Sequence, residues 1–181
     1  DASTNLPTGE GQIEGVPSDN DRAAYGGTND ADNSGVMTYV SIRHGGTQLG
    51  AANEINGLTL GGVGSGTTMH HIEVIANEDD GIEFFGGTVE INYAVVAFVG
   101  DDSFDWDQGY AGGGHHWFSI NDSEMGDRGG ELDGDDSPSV TSDGMPFAIP
   151  SVSNWTMIGR GADAGKQGML FRNGSGGHIS D

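Results

Sequence analysis

Cysteine is absent from the 181 residues, which excludes disulfide scaffolds, thiolate zinc sites, iron–sulfur clusters and thiol nucleophiles. Positive charge is nearly absent too. Six Lys plus Arg, of which only Lys166 is a lysine, face 28 Asp plus Glu, for a formal net charge of −22. Nucleic-acid binding needs Lys and Arg to neutralise phosphates, so it is excluded. No apolar run approaches the about 18 residues of a membrane-spanning helix. There is no basic segment leading into an apolar one, as a secretion signal would have. The start at Asp1 without Met, and the stop in the strand-like Gly177-His178-Ile179-Ser180-Asp181, are the pattern of an excerpt.

Glycine is abundant, 34 residues, but it keeps no three-residue period, so a collagen helix is excluded. Disorder is opposed by 3 Trp, 7 Phe and 4 Tyr, and by concentrated apolar runs such as Ile91 to Val99. Residues 1–35, polar and poor in apolar side chains, predict an irregular N-terminal wrapping segment. From Val36 no i, i+3, i+4, i+7 stripe survives three turns without a glycine. Short β-branched and aromatic runs bounded by Gly, Asn and Asp predict strands instead: Met37–Ile42, Leu58–Leu60, His71–Ala76, Gly81–Phe85, Thr88–Phe98, Trp117–Ile120 and Trp155–Ile158.

Self-comparison organises these runs. Glu78-Asp79-Asp80-Gly81-Ile82-Glu83-Phe84 aligns with Gly100-Asp101-Asp102-Ser103-Phe104-Asp105-Trp106 at an offset of 22. The same offset lays Ile72, Val74 and Ala76 over Ala94, Val96 and Phe98, then over His116, Phe118 and Ile120. A weaker echo follows at Gly168-Met169-Leu170-Phe171-Arg172. A period in the twenties with short strands is the mark of a parallel β-solenoid. The expected fold is therefore all-β, a right-handed parallel β-helix of about 22 residues per coil, occupying 36–181 with a loop insertion near 121–150. The leucines and asparagine of a leucine-rich repeat are missing. An antiparallel sandwich, the other alternative, would not explain the fixed offset. Alternation sends Ile82, Phe84, Phe104 and Trp106 inward and Glu83, Asp105 and Asp107 outward. The pairs at Gly45–Gly46, Gly61–Gly62, Gly86–Gly87, Gly112–Gly113 and Gly129–Gly130 suit tight corners.

Several segments carry a family resemblance. Glu10-Gly11-Gln12-Ile13-Glu14-Gly15, Asp30-Ala31-Asp32-Asn33-Ser34-Gly35-Val36, Tyr39-Val40-Ser41-Ile42-Arg43-His44-Gly45-Gly46 and Asn53-Glu54-Ile55-Asn56-Gly57-Leu58-Thr59-Leu60 are four of them. Asp79 to Gly87, Gly100 to Asp107 and Gly126-Asp127-Arg128-Gly129-Gly130-Glu131 continue it. Over nearly its whole length the chain resembles exported right-handed β-helix proteins of marine and surface-living bacteria, often lipoproteins or secretion-system cargo. The resemblance implies a β-helix and export to the cell surface or beyond. It implies no particular reaction.

Stacked coils place Asp79 beside Asp101, Asp80 beside Asp102 and Glu83 beside Asp105, and like charges opposed on neighbouring strands destabilise a sheet. Such a column is hydrated, bridged by a cation, or partly protonated. Calcium, which takes six to eight oxygen ligands, is the natural cation for Asp79, Asp80, Glu83, Asp101, Asp102 and Asp105. The plainer reading is that Asp caps turns and keeps the chain soluble. Asp127, Glu131, Asp133, Asp135 and Asp136 read as a separate solvated loop, and no EF-hand pattern occurs.

Paired carboxylates also serve glycosidases, and Asp101, Asp102, Asp105 and Asp107 are close enough in sequence to supply a pair. Asp107, Tyr110 and Trp117 are the candidate glycan contacts, whereas Trp106 is expected in the core. The Gly-Asp-Asp run resembles polygalacturonases only superficially, since their Gly-His-Gly and Arg-x-Lys elements are missing. A pectate-lyase site would cluster Arg and Lys beside calcium, and here they are scattered. The offset also sets His71, Tyr93 and His115 in one column, its ends two coils apart and too distant for one metal ion. No Gly-x-Ser-x-Gly elbow or phosphate loop is present. Sequons stand at Asn121, Asn154 and Asn173. The function expected is a non-enzymatic extracellular structural or adhesion scaffold, calcium-stabilised and able to associate end to end. A polysaccharide-binding or polysaccharide-cleaving β-helix is the alternative, separated from it by whether an open groove joins two carboxylates to an exposed aromatic.

Overall fold

A computed structural model describes residues 1–14, 16, 20–49, 55–135, 144–161 and 166–181. Two short pieces of antiparallel strand, β1 (Gly11–Gln12) and β2 (Ala24–Tyr25), precede the coils. The coils supply two kinds of rung. Four-residue rungs are β4 (Leu58–Gly61), β6 (Ile82–Phe85), β8 (Phe104–Asp107), β10 (Gly130–Asp133) and β12 (Met169–Arg172). Eight-residue rungs are β3 (Val36–Arg43), β5 (Thr68–Ile75), β7 (Glu90–Ala97), β9 (Gly113–Ile120) and β11 (Ser151–Ile158), extended by the three-residue β13 (His178–Ser180). Each kind pairs only with its own, in parallel, giving sheets ordered β4-β6-β8-β10-β12 and β3-β5-β7-β9-β11-β13. This is a parallel β-helix.

The side chains between the sheets build one core. Ile82, Phe84, Phe104, Trp106 and Leu132 from the short rungs meet Ile72, Val74, Ile91, Val96 and Trp117 from the long ones, all buried. Trp117 stacks on Phe104 with ring centroids 4.5 Å apart, and Phe84 stacks on Tyr110 at 4.3 Å. Burying an aromatic of this size removes about 150–250 Å² from water, so these rings dominate the core.

The repeat of 22 holds where Met69 pairs with Ile91 and Phe84 with Trp106. It does not hold at the next long rung, where Ala94 pairs with Trp117, 23 positions on. Because strand parity is two, this extra residue turns Trp117 and Ser119 inward and His116 and Phe118 outward, reversing the expected overlay of His116, Phe118 and Ile120. The stretch 121–150 is not all loop either: Gly130–Asp133 is a rung paired with β8 on one side and β12 on the other.

Each long rung also bends in the middle. Tyr39, His71, Tyr93, His116 and Asn154 all have φ between 55° and 60° and drop out of the ladder pairing. Each follows an outward residue, so two neighbours lie outside between buried positions such as Met69 and Ile72, or Ile91 and Ala94. These are one-residue left-handed bulges. They align from coil to coil, so their side chains form an exterior stack in which His71 and Tyr93, 4.6 Å apart, are followed by His116, 5.0 Å on. The expected column of His71, Tyr93 and His115 thus runs through His116 instead.

Residues 2–5 cross the corners of successive coils: the Ala2 N–H donates to the Gly62 carbonyl, the Gly87 N–H to Ser3 and the Asn5 N–H to Gln108. Tyr25 lies against Phe85 at 5.9 Å and donates its hydroxyl to Gln108 Oε1 at 2.6 Å. The N-terminal stretch thereby shields the outer face of the short-rung sheet near one end of the acidic column.

Candidate functional site

The turns before β6 and β8 carry Asp-Asp pairs, Asp79-Asp80 and Asp101-Asp102, and the second residue of each of these rungs, facing outward, is a further acid, Glu83 or Asp105. Glu83 pairs in register with Asp105, and Asp105 with Glu131. Asp80 Oδ1 accepts the Asp102 N–H at 2.8 Å, and Asp102 Oδ1 in turn accepts the Arg128 N–H. Asp79, Asp80, Glu83, Asp101, Asp102 and Asp105 all line one cavity of about 250 Å³, together with Glu14, Asn56 and Glu131. The six acids singled out from the sequence thus meet at one place.

Glu131 and Asp127, read from sequence as a solvated loop, belong to this place as well. Glu131 stands on β10 in the same column, and Asp127 gathers with Asp101 and Asp102. Asp133 is buried on β10, where Arg172 Nε donates to its Oδ1 at 2.6 Å. Asp135 is half-buried beyond the rung, and Asp136 lies outside the described residues. The missed signal was the resemblance of Gly130-Glu131-Leu132-Asp133 to Phe104-Asp105-Trp106-Asp107, an outward acid on either side of an inward apolar residue.

The basin is electrostatically uneven. Arg128 Nη1 reaches Asp127 at 2.8 Å, Glu131 at 2.5 Å and Asp102 at 3.4 Å, and Arg172 Nη2 reaches Glu131 at 2.7 Å. At the other end, Asp80, Glu83 and Asp105 draw no ion pair among the described residues. Glu83 accepts from Asn56 Nδ2. Asp105 Oδ1 is buried with no hydrogen-bond partner among the described residues. Burial pushes the carboxyls of Asp80, Glu83 and Asp105 well above the usual range, and neighbouring carboxylates push further: Glu83 and Asp102 on Asp80, Glu14 and Asp107 on Glu83, Asp80 and Glu83 on Asp105. Burial raises Asp102 to about 7, aided by Asp101 and opposed by the Arg128 N–H and guanidinium.

Three sets of carboxylates bring ligand oxygens within 4.8 Å of one another: Asp79 with Asp80 and Asp101, Asp80 with Glu83 and Asp105, and Asp101 with Asp102 and Asp127. Oxygens on one calcium ion at about 2.4 Å lie no more than about 4.8 Å apart. The donor set is all oxygen, which suits a hard cation and not a thiophilic one. Asp105, whose Oδ1 is buried without a hydrogen-bond partner among the described residues, belongs to the second set. The residues present therefore fit Ca²⁺.

The glycan contacts expected from the sequence are not at the surface. Tyr110 and Trp117 are core residues, 0% and 1% exposed, with their polar atoms used on backbone carbonyls: Tyr110 Oη donates to Val89 and Trp117 Nε1 to Ile91. Asp107 is buried beside Gln108, whose N–H it accepts. Trp106 is fully buried as expected. Among the described residues no aromatic lines the acidic cavity. The Asn121 sequon is buried, its Oδ1 accepting from Ser103, whereas Asn154 is exposed.

The family model described as a pectate-lyase-like beta helix domain matches residues 2–181. The chain belongs to that family. Among curated proteins and solved structures nothing matches.

Proposed function

Starting from a pectate-lyase-like β-helix whose turns converge on an acidic basin, we propose that the chain is an extracellular scaffold module that binds Ca²⁺ in that basin. One observation carries the reading. Asp80, Glu83 and Asp105 bring three carboxylate oxygens within 4.8 Å, with Asp105 Oδ1 buried and lacking a donor among the described residues. Water does not solvate such an atom, and Asp105 makes no ion pair among the described residues, so a bound cation is what would keep it charged. Calcium here would tie two successive coils, those of β6 and β8 with the turns before them, into one rigid unit. Rigidity of that kind suits adhesion or end-to-end assembly at a cell surface.

The test is calorimetric titration of the chelator-treated chain with Ca²⁺, and thermal unfolding with Ca²⁺ or EGTA. A saturable site and a rise in Tm with Ca²⁺ are expected. Binding free energy adds to stability as RT ln(1 + [Ca²⁺]/Kd), about 2.7 kcal/mol at a hundredfold excess over Kd. An unchanged Tm would refute the reading.

Family membership favours a second reading, a polysaccharide-acting domain with its ligand laid across the same basin. The cavity has acids and, at the Glu131 end, guanidinium groups, but among the described residues no exposed aromatic to stack a sugar. Calcium would be needed to reverse the local charge before an acidic glycan could approach. Release of reducing ends or of unsaturated products from a glycan panel, with Ca²⁺ present, would establish this reading over the scaffold.

A further inference from the structure

On the opposite sheet the outward-facing histidines make two identical arrangements. His70 Nδ1 lies 3.0 Å from His71 Nδ1, and His115 Nδ1 lies 2.8 Å from His116 Nδ1, with the rings of each pair near perpendicular at 84° and 81°. The cause is the bulge. An extended strand would send consecutive side chains to opposite faces. The left-handed backbone at His71 (φ 55°) and His116 (φ 58°) puts both members of each pair on the outside. His71 and His116 are exposed, and Tyr93 is stacked between them.

We propose that each pair is a bidentate chelate for a late first-row divalent transition-metal ion, with Cu²⁺ bound tightest. Two nitrogens each about 2.0 Å from one ion are about 2.8 Å apart at a right angle and about 3.3 Å apart in a tetrahedron. The observed separations match the right-angle case, the geometry of tetragonal Cu²⁺. Without metal the same contact is an N–H···N hydrogen bond. On binding, the donor ring moves its proton from Nδ1 to Nε2, and the two rings tilt until both Nδ1 lone pairs point at the ion. Water completes the coordination sphere. Imidazole and carboxylate select different ions, so these sites are chemically separate from the acidic basin and do not depend on its occupancy.

The test is titration of the Ca²⁺-saturated chain with Cu²⁺, followed by calorimetry and electron paramagnetic resonance. Two ions per chain, each with hyperfine coupling to two nitrogens, are expected. His71→Asn should remove one, and the double variant His71→Asn, His116→Asn both. Asparagine is chosen because Asn154 holds the same left-handed position in β11. The pair His70→Gln, His115→Gln, at ordinary extended positions, gives the same readout should the asparagine variants fold poorly. Unchanged stoichiometry and spectrum in the double variants would place the copper on His44, His178 or the amino terminus and overturn the proposal, as would a wild-type titration that never saturates.

Discussion

A carboxylate that has lost its water needs a proton or a cation, and Asp80, Glu83 and Asp105 have exchanged most of their water for one another. Alternation along β6 and β8 already pointed Glu83 and Asp105 outward. What it could not supply was the depth of their burial, which comes from the preceding turn and from Asn56, in another coil. At this scale Asp80→Asn is informative, because the amide oxygen still accepts the Asp102 N–H while one charge leaves. Without Ca²⁺ the variant should be more stable than wild type at pH 7. Each unit of carboxyl pKa elevation relieved is worth about 1.4 kcal/mol. Its Ca²⁺-dependent rise in Tm should be lost. Urea unfolding with and without Ca²⁺ measures both, and a variant that is weakened yet still responds to Ca²⁺ would move the ion elsewhere.

At the scale of elements, the step from β7 to β9 shows why the repeat was readable in part. The coil gains one residue between Asp107, which pairs with Phe85 at an offset of 22, and Gly113, which pairs with Glu90 at 23. A Cβ on Gly114 (φ 152°) would sit 1.9 Å from the Ile91 carbonyl oxygen, the atom that accepts Trp117 Nε1 at 2.7 Å. The glycine lets β9 approach closely enough for the indole to be satisfied inside the core. Gly114→Ala is therefore expected to cost about 2–3 kcal/mol through backbone displacement and a strained loss of that hydrogen bond. A lower urea midpoint with an unchanged m value would record it. A self-comparison at constant offset has no access to this insertion, since the linking residues 108–112 carry no strand pattern. It consequently set Trp117 on the outside, where it looked like a sugar platform. The rung β10 was missed for a related reason: the Gly129-Gly130 pair at its start resembles a corner, and its acids resemble a loop.

Across the whole molecule the acidic excess makes stability depend on pH in an unusual direction. Asp102 is raised from 3.8 to about 7, so the folded chain holds this proton more tightly than the unfolded chain. Its contribution is complete below about pH 3.8 and is lost as pH rises through about 7. Asp80, Glu83, Asp105 and Glu131 are raised in the same sense, by burial first. Glu73, lowered by the Ser41 hydroxyl and Arg43, acts oppositely but is a surface pair of small effect. Calcium-free protein should therefore gain Tm as pH falls from about 8 to about 5, the reverse of ordinary acid denaturation. With saturating Ca²⁺ the trend should invert, because protons then compete for the metal's ligands. Calorimetry at several pH values, with and without Ca²⁺, decides it. A Tm falling with pH in both series would mean that the basin is not held as described.

Period and alternation in the sequence determined the architecture: a parallel β-helix, its aromatic core, and the convergence of Asp79, Asp80, Glu83, Asp101, Asp102 and Asp105. These are local properties, set by which face of a strand each residue occupies and by repetition at a near-constant interval. Only the tertiary structure decided which acids are short of a counter-charge, that Tyr110 and Trp117 are core, and that the vicinal histidines share one side. Each of those depends on contacts between coils 20 or more residues apart, or on a single left-handed residue, neither of which leaves a periodic trace in the chain.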